Sequence, residues 1–295
     1  MNTTKSMRLL IVLVCILLLV TALVGLFWQG EGSSKIVTAI DGREVELYGH
    51  GAYANHSLLR ATSYMGADWA MLLVVVPLLL IASVFLNRFP KSLLVCSGAL
   101  MIAFYYSITQ AFGAAFNRYF LLYTALFSVA GFSFGYSVYL AGKTSWKRKT
   151  KTQSKNWGTA MFLLLAGASA LIWLGMIIPG LLIGDFSEFI DVNTTEPTFA
   201  LDIGIIFPLF TVCGIALLKQ REFGYKFTPV LLTFYSLVGA LVAVQSVVQI
   251  RHGIEIPLPQ LIGLIVSFIT LGAIALILNV RFLNRSIITE SSSDR

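Results

Sequence analysis

The sequence predicts an all-α, polytopic transmembrane helix bundle of about eight spans. Both termini are expected on the cytoplasmic side, with a small extracytoplasmic β-hairpin in the first outer loop. Three observations carry this reading. Of the 295 residues, 57% are hydrophobic and only 12% are charged, about half the charge of a soluble domain. Mean hydropathy is +0.82. A soluble chain of this length cannot coat itself with so few charges, and disordered, collagen-like and disulfide-stapled chains fail on the same composition. Eight apolar runs reach the roughly 20 residues that cross a hydrocarbon core. Finally, the basic residues fall on alternate sides of those runs in a consistent way.

The runs lie at about 9–28, 69–87, 92–116, 119–141, 157–183, 198–218, 228–249 and 258–280. Lys5 and Arg8 precede the first, as in a signal peptide. Its apolar stretch exceeds the 7–15 residues of a signal core, so it reads as an uncleaved anchor. With the N-terminus inside, the inner segments hold sixteen of the 21 Lys and Arg residues and the outer segments five. The outer five are Lys35, Arg43, Arg60, Arg118 and Arg251. Eleven of the 14 Asp and Glu residues fall on the outer side or at its boundary. An error of one span would scramble this separation.

The net charge of +7 would suggest a nucleic-acid partner in a soluble protein. Here the charge concentrates in the inner loop Trp146-Lys147-Arg148-Lys149-Thr150-Lys151, which reads as a topology determinant attracted to anionic lipid. No nucleic-acid partner is expected. Gly142-Lys143-Thr144 echoes the end of a phosphate-binding loop, but that motif needs glycine at 137 and Ser137 stands there. Cys15, Cys96 and Cys213 each lie inside an apolar run and read as small hydrophobes.

The outer loop 29–68 is the one long segment outside the runs. Ile36 to Leu47 alternates on both sides of Asp41-Gly42, a pair suited to a two-residue hairpin turn. Tyr48-Gly49-His50-Gly51-Ala52-Tyr53 follows, a glycine-rich aromatic stretch able to fold back over the helix ends. The second outer loop, 184–197, is acidic, with Asp185, Glu188, Asp191 and Glu196.

The whole chain, 1–295, reads as a single transmembrane domain. Within it, residues 1–142 and 157–285 share a layout. Asp68 and Arg88 bracket one span as Asp202 and Arg221 bracket another, and each return helix carries a glutamine, Gln110 or Gln245. This suggests tandem four-helix units related by an axis along the membrane normal. Coincidence between hairpins of membrane length is the competing explanation.

Polar residues inside spans are costly unless they face the bundle interior or find a partner. Asp68, Gln110, Asn117, Arg118, Glu196, Asp202, Gln245 and Gln249 all belong to the outer half, which suggests a ligand-binding cavity opening outward. The bland alternatives are interhelical glue for the amides, helix capping for Asp68 and Asp202, and a snorkelling Arg118. Arg118 is also the best-placed partner for Asp202, and Pro208 should kink the helix just past that acid. Gly131-x-x-x-Gly135, Ala166-x-x-x-Ala170 and Gly263-x-x-x-Ser267 permit close helix packing. His50, His56 and His252 form a conceivable zinc set, against the default of solvated loop histidines. No metal and no cofactor is expected, and no catalytic motif emerges.

Leu47-Tyr48-Gly49-His50-Gly51-Ala52-Tyr53, Asp68, Tyr123 within Phe120 to Phe127, and Thr198 through Asp202 to Pro208 resemble a widespread set of uncharacterised bacterial multi-span membrane proteins. The resemblance implies the bacterial cytoplasmic membrane as location and no activity. Three functions are then open. The first is binding or transport of a small polar or cationic solute. The second is a membrane-anchored sensor or accessory subunit whose outer loop meets a membrane protein partner. The third, resting only on the Asp pair, is an envelope- or lipid-modifying enzyme.

Overall fold

The computed structural model describes residues 3–30, 33–39, 42–88, 90–148, 156–185, 190, 192, 193 and 195–290. Among the described residues are eight helices long and apolar enough to cross a membrane, and the chain is a multi-pass membrane protein. Spans one to eight are Thr3–Phe27, Leu58–Val84, Pro90–Gly113, Phe120–Gly142, Trp157–Ile183, Pro197–Leu218, Glu222–Arg251 and Leu258–Arg285.

Span two starts eleven residues before its apolar run. Ser57 caps it, its hydroxyl accepting from the Arg60 backbone N–H. The first turns carry Arg60, Thr62, Ser63 and Tyr64, too polar to count as membrane sequence. Helical geometry lets Thr62 and Ser63 donate their hydroxyls to Leu58 and Leu59 carbonyls. Asp68 therefore lies three turns inside span two and caps nothing. Asp202 caps nothing either, because Glu196 takes that role for span six by accepting from Thr198 N–H at 3.2 Å.

Four spans contain a widened π-turn: Met71–Val75, Thr109–Gly113, Asp202–Ile206 and Leu261–Val266. Two of these directly precede a proline, Pro77 and Pro208. Proline has no N–H to give and its ring crowds the carbonyl four residues back. The residue before each proline bonds five back instead, Val76 N–H to Met71 and Phe207 N–H to Asp202. The distortion expected at Pro208 thus takes the form of a wide turn beginning at the acid itself.

The loop between spans one and two forms the expected hairpin, β1 (Ile36–Thr38) against β2 (Glu44–Glu46). Its register pairs Thr38 with Glu44, and the Ala39 N–H donates to the Arg43 carbonyl. The turn between Ala39 and Arg43 is thus one residue longer than an Asp-Gly turn. Gly42 has φ +86°, the left-handed glycine that closes a three-residue hairpin loop. Ile40 and Asp41 lie outside the described residues. A second ribbon, which sequence patterning did not indicate, pairs β3 (Thr144–Arg148) with β4 (Ser286–Glu290) at the opposite end of the bundle.

The two ends differ in chemistry. At the end away from the hairpin, basic side chains close the last turns of three spans. Arg8 donates to the Ser83 and Val84 carbonyls, each at 3.0 Å. Lys226 donates to Gly142 at 2.7 Å, and Lys91 to Leu283. Cations satisfy the orphan carbonyls and the negative pole of a helix C-terminus.

Span seven is the centre of the bundle and packs on spans two, three, six and eight. Gly66 of span two lies against the Gln245 backbone, and Gly239 lies against Gly272 of span eight. These approaches leave no room for a Cβ. Of the three small-residue faces read from sequence, Gly131 packs under Phe104, while Gly135 and Gly263 meet no side chain. Span one also packs on span four.

Candidate functional site

The polar set read from sequence divides into two groups, one on each side of span three. The divider is the pair Tyr105-Tyr106. Neighbouring residues on a helix point about 100° apart, so one phenol reaches each acid.

The first group is sealed. Asp68 is fully buried, and Oδ2 accepts from the Tyr53 hydroxyl at 2.8 Å while Oδ1 accepts from Tyr106. Gln110 Nε2 donates to the Tyr53 oxygen at 3.0 Å. Tyr53 comes from the loop between spans one and two, which does fold back over the helix ends: its ring is wholly buried and stacks on Tyr64 with centroids 5.1 Å apart. Burial, and then the Asp68 charge, push the Tyr53 phenol well above its usual range, so it keeps its proton and stays a donor.

The same loop is pinned at two more points. Asn117 Nδ2 donates to the Ala52 carbonyl at 3.1 Å. His56 Nε2 accepts the Ala115 N–H at 3.0 Å. Burial, with Arg60 adding to it, lowers the His56 pKa to about 3, so the ring is neutral and its proton is on Nδ1. Gly25 of span one lies directly over Asp68. No cluster of three His, Cys, Asp or Glu residues with metal-binding geometry occurs among the described residues, and the His50, His56 and His252 set is not one.

The second group is open. A cavity of about 400 Å³ lies among spans two, three, five, six, seven and eight, within the range of small-molecule sites. Asp202 is in its wall and accepts from Trp173 Nε1 at 2.7 Å and from the Tyr105 hydroxyl at 3.0 Å. Towards the hairpin end, Arg60 and Glu196 form an ion pair at 2.6 Å. Gln245 and Gln249 donate to the Ser63 carbonyl and hydroxyl at 3.0 and 2.9 Å. Ser169 and Tyr235 share a hydrogen bond of 2.7 Å, and Trp173 packs on Phe199 with centroids 5.1 Å apart. The deepest lining comes from Ile102, Ala166, Ile206 and Phe234, about half-way along their spans.

Glu196, Asp202, Gln245 and Gln249 therefore line one cavity, whereas Asp68, Gln110 and Asn117 hold the loop. Arg118 does neither. Its guanidinium lies over the Trp28 ring at 5.6 Å, a cation–π contact at the rim, and the expected Arg118–Asp202 pair is not formed. Two neutral donors serve that acid instead. Sequence reasoning missed Tyr53, Tyr105, Trp173, Arg60 and Ser63 as site residues. A tyrosine doublet inside an apolar run was the available signal, since buried phenols seek partners.

No family model, no curated protein and no solved structure matches the chain. What the site can do must be argued from its own groups. Among the described residues it offers one carboxylate without a cationic partner, neutral donors already engaged, several aromatic faces, and no nucleophile beside a base.

Proposed function

We propose that the chain is a bacterial cytoplasmic-membrane protein whose cavity binds a small, positively charged polar solute presented from outside the cell. The hairpin end is extracytoplasmic in this reading and both termini are cytoplasmic. The distribution of Lys and Arg supports that orientation, and Arg8, Lys91 and Lys226 at the helix ends of the far side are consistent with it.

The observation that carries the ligand class is Asp202. Its hydrogen bonds come from Tyr105 and Trp173, which are neutral, and the cation of the cavity, Arg60, is taken by Glu196. A carboxylate in a low-dielectric wall gains most from a cation brought to it. Tyr105, Trp173, Phe199 and Tyr235 add ring faces that suit an ammonium or guanidinium group. An anion would meet two carboxylates and one cation already engaged. The cavity floor at mid-span supports capture from one side; transport requires a second arrangement opening the other way.

The test is ligand-dependent thermal stabilisation of the purified full chain. Organic cations should raise the melting temperature, while sugars and carboxylates of similar size should not. Asp202→Asn keeps acceptor and shape, so it should fold and lose the stabilisation. Equal stabilisation of the Asn variant by the same cations would reject this reading.

A further inference from the structure

We infer that Tyr64 is a positioning residue of the cavity: its ring couples docking of the loop 47–57 to binding of the cation, so that each holds the other in place. This rests on the cationic-ligand reading of Asp202 and adds how that site is controlled.

The opening turns of span two, residues 58–67, form a wall with two faces. On one face Arg60, Ser63, Tyr64 and Ala67 line the cavity. On the other, Ala61 and Tyr64 form a small apolar cluster with Tyr53 of the loop, apart from the main core of the bundle. Tyr64 belongs to both faces. Its ring stacks on Tyr53 and meets the His56 ring, each with centroids 5.1 Å apart. Its hydroxyl donates to the Thr109 carbonyl of span three at 3.3 Å, and Thr109 is itself in the cavity wall.

Two further connections run the same way. The loop ends at Ser57, which pairs with Leu47 and caps span two by accepting from the Arg60 N–H at 3.4 Å. Arg60 in turn holds Glu196, the residue that caps the helix carrying Asp202. Tyr106 donates to Asp68, the acid that anchors Tyr53, and also lines the cavity. Interiors are close-packed, so a ring that loses its stacking partner leaves a void or turns into it. Release of the loop therefore unseats Tyr64 and loosens the turn that carries Arg60. A cation beside Asp202 meets one wall with the loop docked and another with it released. That difference in affinity is the coupling, and by linkage it acts equally in both directions.

The experiment is amide hydrogen exchange on the purified full chain. The probes are tetramethylammonium and methylguanidinium at concentrations that saturate their thermal shift, with sodium at equal ionic strength as reference. The Tyr48, Gly49 and His56 amides, bonded within the loop, exchange when it opens. They should slow at least about fivefold, the lower end of ordinary coupling between sites. The Ala39 amide, which closes the hairpin away from the wall, should not change. Asp202→Asn should remove the slowing. Tyr64→Phe keeps the stack and should retain most of it, whereas Tyr64→Leu loses the stack and should lose the slowing. Where Tyr64→Leu does not fold, Tyr53→Leu removes the same stack from the loop side and should give the same loss.

A ring that only fills space leaves loop exchange indifferent to the cation. Thermal stabilisation with loop exchange unchanged, or with Ala39 and span seven slowed by the same factor, would overturn the coupling while the cationic site stands. Slowing that persists without the stack would overturn the role of Tyr64. Absence of any thermal shift with either cation would overturn both readings.

Discussion

Removing one oxygen, by Tyr53→Phe, tests how the loop between spans one and two is held. The Tyr53 hydroxyl donates to Asp68 and accepts from Gln110, and all three groups are buried. A typical hydrogen bond contributes about 0.5–1.5 kcal/mol net, and a buried donor left unsatisfied costs about 1–3 kcal/mol. Gln110 Nε2 becomes that donor. The two effects are not strictly additive, so about 3 kcal/mol is a reasonable expectation for loop docking. This is a local quantity, and hydrogen exchange reads it. The useful amides are those of Tyr48, Gly49 and His56, which bond to the His56, Ala54 and Tyr53 carbonyls at 2.7, 2.9 and 3.1 Å. Exchange across 47–57 should accelerate roughly a hundredfold, since about 1.4 kcal/mol is a factor of ten. Span seven should be unaffected. Asp68→Asn combined with Tyr53→Phe should cost much less than the sum of the singles, because both remove one contact. A change below about threefold in the loop, or an equal rise throughout the bundle, would show that the Tyr53–Asp68 bond does not hold the loop.

Three further outcomes are expected. Docking of the loop should weaken as pH falls from about 6.5 toward 3: the folded His56 pKa is depressed to about 3, so the unfolded loop binds the proton first and stability is complete only above the ordinary histidine value. His56→Gln, which keeps an acceptor for Ala115 N–H, should flatten that acid limb of loop exchange; an unchanged limb assigns it to other groups. Gly25→Ala drives a methyl into the Asp68 carboxylate and the Tyr53 hydroxyl, and overpacking of about 1–3 kcal/mol should lower the melting temperature; an unshifted melt means that Asp68 has somewhere to move. Ser33→Cys should react with an impermeant thiol reagent on intact cells and Lys219→Cys should not; labelling of position 219 from outside would reverse or break the proposed topology.

Much of this molecule was legible in its sequence. Eight apolar runs became eight spans because a bilayer imposes one length and one composition on any helix that crosses it. The hairpin followed from alternation around Asp41-Gly42, although Ala39–Arg43 pairing widened its turn. The start of span two was not legible. Residues 58–68 look like loop by hydropathy, yet form helix because Ser57 caps them and span seven accepts Gly66 against its backbone.

The candidate site divides in the same way. Sequence marked the costly polar residues, because charge inside an apolar run is visible in one dimension. It did not say which of them share a space. That was decided by Tyr105 and Tyr106, whose side chains diverge around span three and send Asp202 to an open cavity and Asp68 to a sealed one. It was also decided by Tyr53, which a loop brings into the bundle. Arg118, the partner suggested by its place at the turn between spans three and four, went to Trp28 instead. Hydrophobic periodicity fixes which residues must be in the membrane; partners are fixed by helix rotation and by which helices touch, and those arise only when all eight pack together.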